Sequence, residues 1–322
     1  MEEPLLGLDV GGTNLRAALV DGESGTVISA ERRPLPGRSP AEVVAAASEA
    51  VAAVAGSRSA ALCRRLGVGV AGQVLGESGL VLNAPNLGWR EVALGALLER
   101  ALGARVRIVN DLAAAAWGES RFGAARGAAD ALVVFVGTGV GAGLVVGGRL
   151  CEGARGVAGE LGHVKVRPPG GGEPRACGCG STGCLEAYAG GANLAARVRA
   201  EVAAGARTCI RELAGGDLSR ITAAHVQAAC AIGDDYARRL FEEVGELLST
   251  AVANAVTLLN PGRLVLGGGV LRGSPTLFAL VTAGVSRAAS PTASAELAIV
   301  PAARGDEAGV VGAALLGSEG EK

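Results

Sequence analysis

Residues 131–150 read ALVVFVGTGVGAGLVVGGRL. The apolar, β-branched run 131–136 has the length and make-up of a buried strand. GTGVGAG (137–143) reads as a glycine turn, and LVVGGRL (144–150) as a strand returning from it. The N-terminus shows the same order. LLGLDV (5–10) is a short apolar run with a carboxylate near its end, Gly11 and Gly12 follow, and NLRAALVD is a second strand. A turn from Gly22 to Gly25 leads into a third strand, TVISAERR. Strand, glycine turn, strand therefore occurs twice, and we read an internal pseudo-repeat with one copy in each of two domains.

The stretch 40–55 is Ala-rich and predicted helical. LGVGVAG (66–72) is a strand ending in glycine, 90–102 a helix, and VRIVND (106–111) a strand ending at Asn110 and Asp111. Asp111 can cap the helix that LAAAAWGES begins. Further helices are predicted at 185–203, 222–231 and 234–259, the last stopped by Asn260-Pro261-Gly262. RLVLGGG (263–269) is a strand and glycine turn, 275–288 a helix, LAIVPA (297–302) a strand and 306–317 a helix. Strands alternating with helices place the chain in the α/β class.

The chain has 322 residues, 49% of them apolar, enough for a sizeable core and for two domains. A net charge of −1 without a basic block argues against nucleic acid and acidic membrane surfaces as partners. No apolar run approaches a membrane span, and MEEPLLGLDVGGT is acidic and strand-like rather than a signal peptide. Seven cysteines, an odd number with three clustered, fit a reducing, cytoplasmic setting better than a disulfide framework. Cys63, Cys151, Cys209 and Cys230 are scattered and read as small core residues. Lys165 and Lys322 are the only lysines among 30 lysines and arginines, so a lysine-based phosphate contact is confined to Lys165.

Asp9-Val10-Gly11-Gly12-Thr13 sets a carboxylate at a strand end, then two glycines and a hydroxyl. Glycine lets the backbone approach a phosphate, and successive N–H groups there form an anion nest. A carboxylate beside phosphate is repulsive unless a cation lies between them, which points to Mg²⁺. Gly137, Thr138, Gly139 and Gly141 offer a second nest. Either motif alone also suits a tight hairpin. GTGVGAG is not a dinucleotide loop, because a strand rather than a helix follows it, and no G-x-x-x-x-G-K-[ST] loop is present. Two facing nests suit a nucleoside triphosphate. A third glycine turn, Gly267-Gly268-Gly269, offers flat backbone for an adenine, or is a plain strand-to-helix turn.

The densest chemistry lies in GELGHVKVRPPGGGEPRACGCGSTGCLE (159–186). His163, one of two histidines, joins Cys177, Cys179 and Cys184 in a Cys₃His set, the ligand count of a closed tetrahedral zinc site. Four protein ligands leave no open position, so the zinc is structural and its task is to pin the flanking carboxylates Glu160 and Glu186. Buried thiols beside a satisfied histidine are the plainer reading, but core cysteines sit on apolar faces rather than in a Gly-rich loop. Glu160 and His163 share a face if their segment is helical. Asp111 can serve as the base that phosphoryl transfer to an alcohol needs, or can simply cap its helix. Asn83 and Asn86, in LNAPNLGW, offer the amides that sugar hydroxyls use, or ordinary turn chemistry.

Together these residues resemble the ROK family of sugar kinases, in the actin-like, hexokinase and Hsp70 ATPase superfamily, over nearly the whole chain. GVAGELGH (156–163) and CGCGSTGCLE (177–186) carry the resemblance most specifically, and both match the family patterns in full. The resemblance implies two actin-like (ribonuclease H-like) domains with a nucleotide and sugar cleft between them. These would be 1–119 plus 304–322, and 120–303 with the zinc loop. It implies structural Zn²⁺ on His163, Cys177, Cys179 and Cys184, and sugar contacts from Glu160, Glu186, Asn110 and His163. It also implies Asp111 as catalytic base, and ATP phosphates with Mg²⁺ on Asp9 to Thr13 and Gly137 to Gly141.

The implied activity is ATP-dependent phosphorylation of a hexose, most like a glucokinase feeding glycolysis. A kinase for N-acetylglucosamine, N-acetylmannosamine or fructose and a non-enzymatic sugar sensor are the alternatives. Repressors of the family carry a helix-turn-helix segment, for which the eight residues before Asp9 leave no room. Family members are often dimers or tetramers, so a homo-oligomer is expected. Three departures stand out. Asn14 occupies a position where the family often has lysine, with Arg16 close by to supply charge. Gly72-Gln73 replaces the usual Gly-Pro, and PPGGGEP before Cys177 reads as a surface insertion.

Overall fold

The computed structural model describes residues 3–56, 64–168 and 170–319. The chain divides into two compact units. Unit 1 takes Met1–Ala131, Gly143–Gly159 and Ala303–Lys322, and unit 2 takes Leu132–Ala142 and Glu160–Ala302. Within unit 1 the stretch from Gly143 packs with the helix that begins at Asp111. Leu112 O and Ala113 Cα lie 3.0 and 3.4 Å from where a Gly143 Cβ would stand.

In unit 1, β1 (Leu5–Val10), β2 (Asn14–Val20), β3 (Val27–Pro34), β4 (Arg65–Val70) and β8 (Arg105–Asn110) form one sheet in the order β3-β2-β1-β4-β8. Antiparallel hairpins join β1 to β2 and β2 to β3, whereas β1, β4 and β8 run parallel. Leu8, Leu15, Leu19 and Val68 pack with Val43, Ala47 and Val51 of α1 (Pro40–Ala55) to make the core on one face. A capping box starts α1. Ser39 Oγ accepts from Glu42 N at 3.3 Å while Glu42 Oε2 accepts from Ser39 N at 3.0 Å, and Pro40 needs no partner in the first turn. The other face is covered by α12 (Ala308–Ser318), whose run from Val310 to Leu316 is entirely buried, as befits a helix apolar all round. It crosses α3 (Asp111–Phe122) at two glycines. A Cβ on Gly118 would come within 3.2 Å of Gly312 N, so a larger residue would force the helices apart.

The second sheet contains β9 (Ala131–Val136), β10 (Val140–Val146), β11 (Arg149–Leu150), β12 (Arg263–Gly267) and β13 (Ala298–Pro301), in the order β11-β10-β9-β12-β13. This is the order of the first sheet strand for strand, so the expected pseudo-repeat is present. Unit 2 carries the helices α4 (Glu186–Ala189), α5 (Gly191–Ala203), α6 (Ile210–Leu213), α7 (Ala223–Ala231), α8 (Asp235–Leu259), α9 (Gly269–Arg272), α10 (Pro275–Ala288) and α11 (Pro291–Ser294). The long helix α8 begins where the Asp234 side chain accepts from Ala237 N at 2.9 Å. It ends at Asn260, which adopts left-handed geometry (φ 46°, ψ 54°).

Several local expectations need correction. The stretch 90–102 is not one helix. Trp89–Val92 is a strand, β7, paired with β6 (Leu80–Ala84), which pairs in turn with β5 (Gln73–Leu75). The helix α2 starts only at Leu94 and runs to Leu102. Glu91, at φ 53°, has a backbone that no helix contains. The stretch 185–203 breaks at Gly190 (ψ 134°), because Gly191 N and Ala192 N are drawn to the carbonyls of Gly137 and Thr138 at 2.8 and 3.1 Å. The glycine turn after β9 is shorter than 137–143, since β10 already begins at Val140. Cys151, Cys209 and Cys230 are half-buried rather than core, and Cys63 lies outside the described residues. Among the described residues no helix is long and apolar enough to cross a membrane.

Candidate functional site

In unit 1 the carboxyl ends of β1, β4 and β8 share one edge of the sheet, the edge where open α/β sheets bind ligands. After β1 comes the turn Gly11–Thr13. Gly11 N donates to Asn14 O at 3.0 Å to close it, and Leu35 N donates to Thr13 O at 2.8 Å to anchor it. A recess of about 360 Å³ opens here, lined by Asp9, the Gly11–Asn14 turn, Arg16 and Arg32. Asp9 and Arg16 are cross-strand partners, and so are Arg16 and Arg32. The three charges thus form a row across the sheet. Burial pushes the Asp9 carboxyl up to about 6, with the Arg16 guanidinium pulling the other way. Arg16 is steadied by donating to Asp306 O at 2.6 Å.

Asp111 stands at the end of β8 as the first residue of α3, and its Oδ1 accepts from Leu112 N at 3.0 Å. The cap of α3 is Asn110 rather than the expected Asp111. Asn110 Oδ1 accepts from Leu112 N and Ala113 N at 2.9 and 3.0 Å, and Nδ2 donates to Gly72 O at 3.0 Å. This commits most of the amide that was expected on a sugar. The backbone carbonyl of Asn83 lies 2.7 Å from where a Gly72 Cβ would stand, and Asn86 Cβ lies 2.8 Å from the corresponding point on Gly12. Both asparagines therefore back the strand-end turns. Gly72 without its proline still packs closely at this junction.

Two positions beside Asp9 escaped the sequence reading. A Cβ on Gly69 would stand 3.4 Å from Asp111 Cα and 3.8 Å from Asp9 Oδ1, so Gly69 lies close to both residues. Gly309 approaches Asp9 from α12, its would-be Cβ 3.2 Å from Oδ2. Glycine inside a strand marks a close approach, and that signal is present twice in Leu-Gly-Val-Gly-Val. For Gly309, one of 52 glycines, no sequence signal exists.

Unit 2 assembles a second group. The turn Gly137–Gly139 follows β9, and Gly137 N donates to Gly139 O at 2.9 Å. Thr138 is exposed there, while Gly141 lies inside β10 and is buried, outside the turn it was expected to join. Glu186 Oε2 accepts from Val140 N at 2.9 Å and presses on Gly139, where no side chain would fit. Glu186 is thus the strut of this turn, and its Oε1 accepts no hydrogen bond among the described residues. Gly268 (φ 92°) follows β12 and lies against the backbone of Val136. Gly269 opens α9 with nothing within 4 Å of its would-be Cβ.

The Cys₃His set converges in the same unit. Ligand atoms of His163, Cys177, Cys179 and Cys184 all lie within 4.8 Å of one another. Cys177 Sγ is 3.8 Å from His163 Nδ1, and Cys179 Sγ is 3.7 Å from Cys184 Sγ. A tetrahedron with Zn–S bonds of about 2.3 Å has edges of about 3.8 Å, so the residues fit the metal. The segment Leu161–His163 is a single tight turn. It brings His163 Nε2 to 3.4 Å from Glu160 Oε2, so the ring bridges the cysteines and the carboxylate. Two residues on from Cys184 stands Glu186, so the cysteine loop and the Gly137–Gly139 turn are joined through one side chain. The PPGGGEP insertion is exposed over Gly170–Pro174.

Residues 5–319 match the ROK family. The chain belongs to the ROK family. A glucokinase of Streptomyces coelicolor is 34% identical over 317 residues, covering 98% of this chain and 97% of that protein. A bifunctional NanE/NanK enzyme of Brucella suis is 36% identical, covering 97% of this chain and 53% of that longer protein. The crystal structure of a ROK family glucokinase from Streptomyces griseus, in complex with glucose and AMPPNP, superposes with a TM-score of 0.83. It is 33% identical and covers 98% of this chain and all of that one. The two repeated α/β units are accordingly the actin-like units of a ROK protein.

Proposed function

We propose that this ROK protein is an ATP-dependent hexose kinase that phosphorylates the primary hydroxyl of glucose, with Asp111 as general base. The observation that carries the reading is the pair Asp9 and Asp111, both close to Gly69 at the carboxyl ends of parallel strands, one beside a recess and the other opening a helix. Asp111 takes the hydroxyl proton as the oxygen attacks the γ-phosphorus in line, and ADP leaves with the former bridging oxygen. Asp9, whose carboxyl is disfavoured as an anion by burial, would hold Mg²⁺, which screens charge on the donor phosphates. The turns Gly11–Thr13 and Gly137–Gly139 supply N–H groups to those phosphates. Glu160, His163, Asn110 and the free oxygen of Glu186 are assigned to the sugar hydroxyls. The glucokinase relatives support this reading.

The test is ATP-dependent phosphorylation across a panel of hexoses and N-acetylhexosamines. Glucose should lead and mannose should come closest, because only one hydroxyl changes direction. N-acetylglucosamine should be poorer, since it adds bulk and leaves acceptors built for a hydroxyl unpaired. A higher kcat/KM for N-acetylmannosamine or fructose would replace glucose and leave the kinase standing. Binding of sugars without any phosphorylation would instead favour a non-enzymatic sensor.

The Cys₃His set is assigned one structural zinc, kept in place by a reducing, cytoplasmic setting. Metal analysis should find about one zinc per chain. Cys179→Ser should lose the metal and at least tenfold in activity, because the loop that ends in Glu186 loses its anchor. Metal-free protein with full activity and unchanged thermal stability would defeat the assignment.

A further inference from the structure

Lys165 is the only lysine among the described residues of a chain with 30 lysines and arginines. Its Nζ donates to Ser181 Oγ at 2.6 Å, to Thr182 O at 2.7 Å and to Cys184 Sγ at 3.1 Å. An ammonium has three donors, and all three are directed here. The backbone fixes the arrangement. Lys165 and Cys184 face each other across an antiparallel bridge, with Val166 N donating to Gly183 O at 2.9 Å and Leu185 N to Val164 O at 3.0 Å. Arginine, the cation this chain uses almost everywhere else, presents a planar fork that cannot converge on three acceptors around one point.

The charge count gives the lysine a purpose. Three thiolates and a neutral imidazole around Zn²⁺ sum to −1. Cys184 is the fully buried thiol of the set, so charge left on it is the least screened by water. Arg175, the cation nearest in sequence to Cys177, is occupied elsewhere. Its guanidinium stacks on the Tyr188 ring at 5.3 Å and lies 4.0 Å from Glu201.

The geometry points to Lys165 as the counter-charge of the Cys₃His zinc site: its ammonium balances the loaded site through the Cys184 thiolate and slows loss of the metal. This rests on the zinc assignment above. The experiment uses the intact chain and follows zinc transfer to excess chelator for wild type, Lys165→Met and Lys165→Arg. Lys165→Met should release zinc about tenfold faster, the lower end of what outer contacts contribute to metal affinity. Lys165→Arg should fall between, because it keeps the charge and loses the convergent donors. With Co²⁺ in place of zinc, the thiolate-to-metal charge-transfer band of Lys165→Met should move to lower energy, a shift that a merely structural change in the loop would not produce. If Lys165→Met does not fold, Ser181→Ala removes one anchor of Nζ and should speed release about threefold. Equal release rates and an unshifted band in Lys165→Met, or an unchanged rate in Ser181→Ala, would overturn the inference alone. Wild-type protein that binds no zinc would overturn it together with the zinc assignment.

Discussion

Asp111→Asn should lower kcat by roughly 10³-fold while sugar and ATP still bind, within the range that general-base catalysis contributes. The amide has the shape of the carboxyl, so it keeps the bond from Leu112 N to Oδ1 and the start of α3. Asn110, which caps that helix through both Leu112 N and Ala113 N, is untouched. Folding should therefore change by less than about 1 kcal/mol, as for a substitution that breaks no cap. What the amide cannot do is accept the proton of the attacking hydroxyl. A coupled ADP-release assay reads kcat, and calorimetry reads glucose affinity, which should stay within about threefold of wild type. A variant that kept a tenth of the wild-type rate would show that Asp111 only shapes the helix terminus. Loss of glucose affinity in step with rate would make it a binding residue instead.

The fold was legible because its signals are local and occur twice. Strand, glycine turn, strand at 5–20 and again at 131–150 pointed to a repeated unit, and the two five-stranded sheets have corresponding strand orders. The cysteine set was equally legible, because metal ligands must gather whatever surrounds them, and they lie within 4.8 Å of one another. The errors fell where a tertiary partner overrides local preference. The stretch around Trp89 looks helical by composition, yet it pairs with β6 at Ala84 and Asn83. Gly190 breaks a good helical run because the amides after it serve the carbonyls of Gly137 and Thr138. Asn110 and Asp111 are adjacent and both able to cap, and only the geometry at Gly72 decides between them. Roles that depend on spacing across strands were invisible for the same reason. Gly69 matters through Asp111 and Asp9, which a Cβ there would meet at 3.4 and 3.8 Å, and Glu186 through a turn 46 positions earlier in the chain.

Asp9→Asn should make the metal-free protein more stable at neutral pH and at the same time nearly inactive. In the folded chain, burial lifts the Asp9 carboxyl from 3.8 to about 6. Unfolded, it ionises near its ordinary value. Below pH 3.8 both states hold the proton and Asp9 is neutral to folding. As pH rises through the window up to about 6, the unfolded chain loses the proton first, so stability falls. Above that window the full penalty stands, about 3 kcal/mol at 1.4 kcal/mol per unit. Asparagine never ionises and avoids it. Thermal unfolding of Asp9→Asn at pH 7.5 without divalent cations should therefore run several degrees above wild type, and the gap should close by about pH 4. Mg²⁺ with nucleotide should raise the wild-type midpoint and leave that of the variant nearly unmoved, because only the carboxylate gives the cation a partner. Turnover should fall by roughly 10²-fold or more, since donor phosphates would then face the recess without their screen. Gly309 and Gly69 leave Asp9 the space that a Cβ at either position would press on, 3.2 and 3.8 Å from its carboxyl oxygens. A variant no more stable than wild type at pH 7.5, or a stability gap that persists unchanged at pH 4, would mean that Asp9 ionises freely in the fold and that its charge is not held in reserve for a cation.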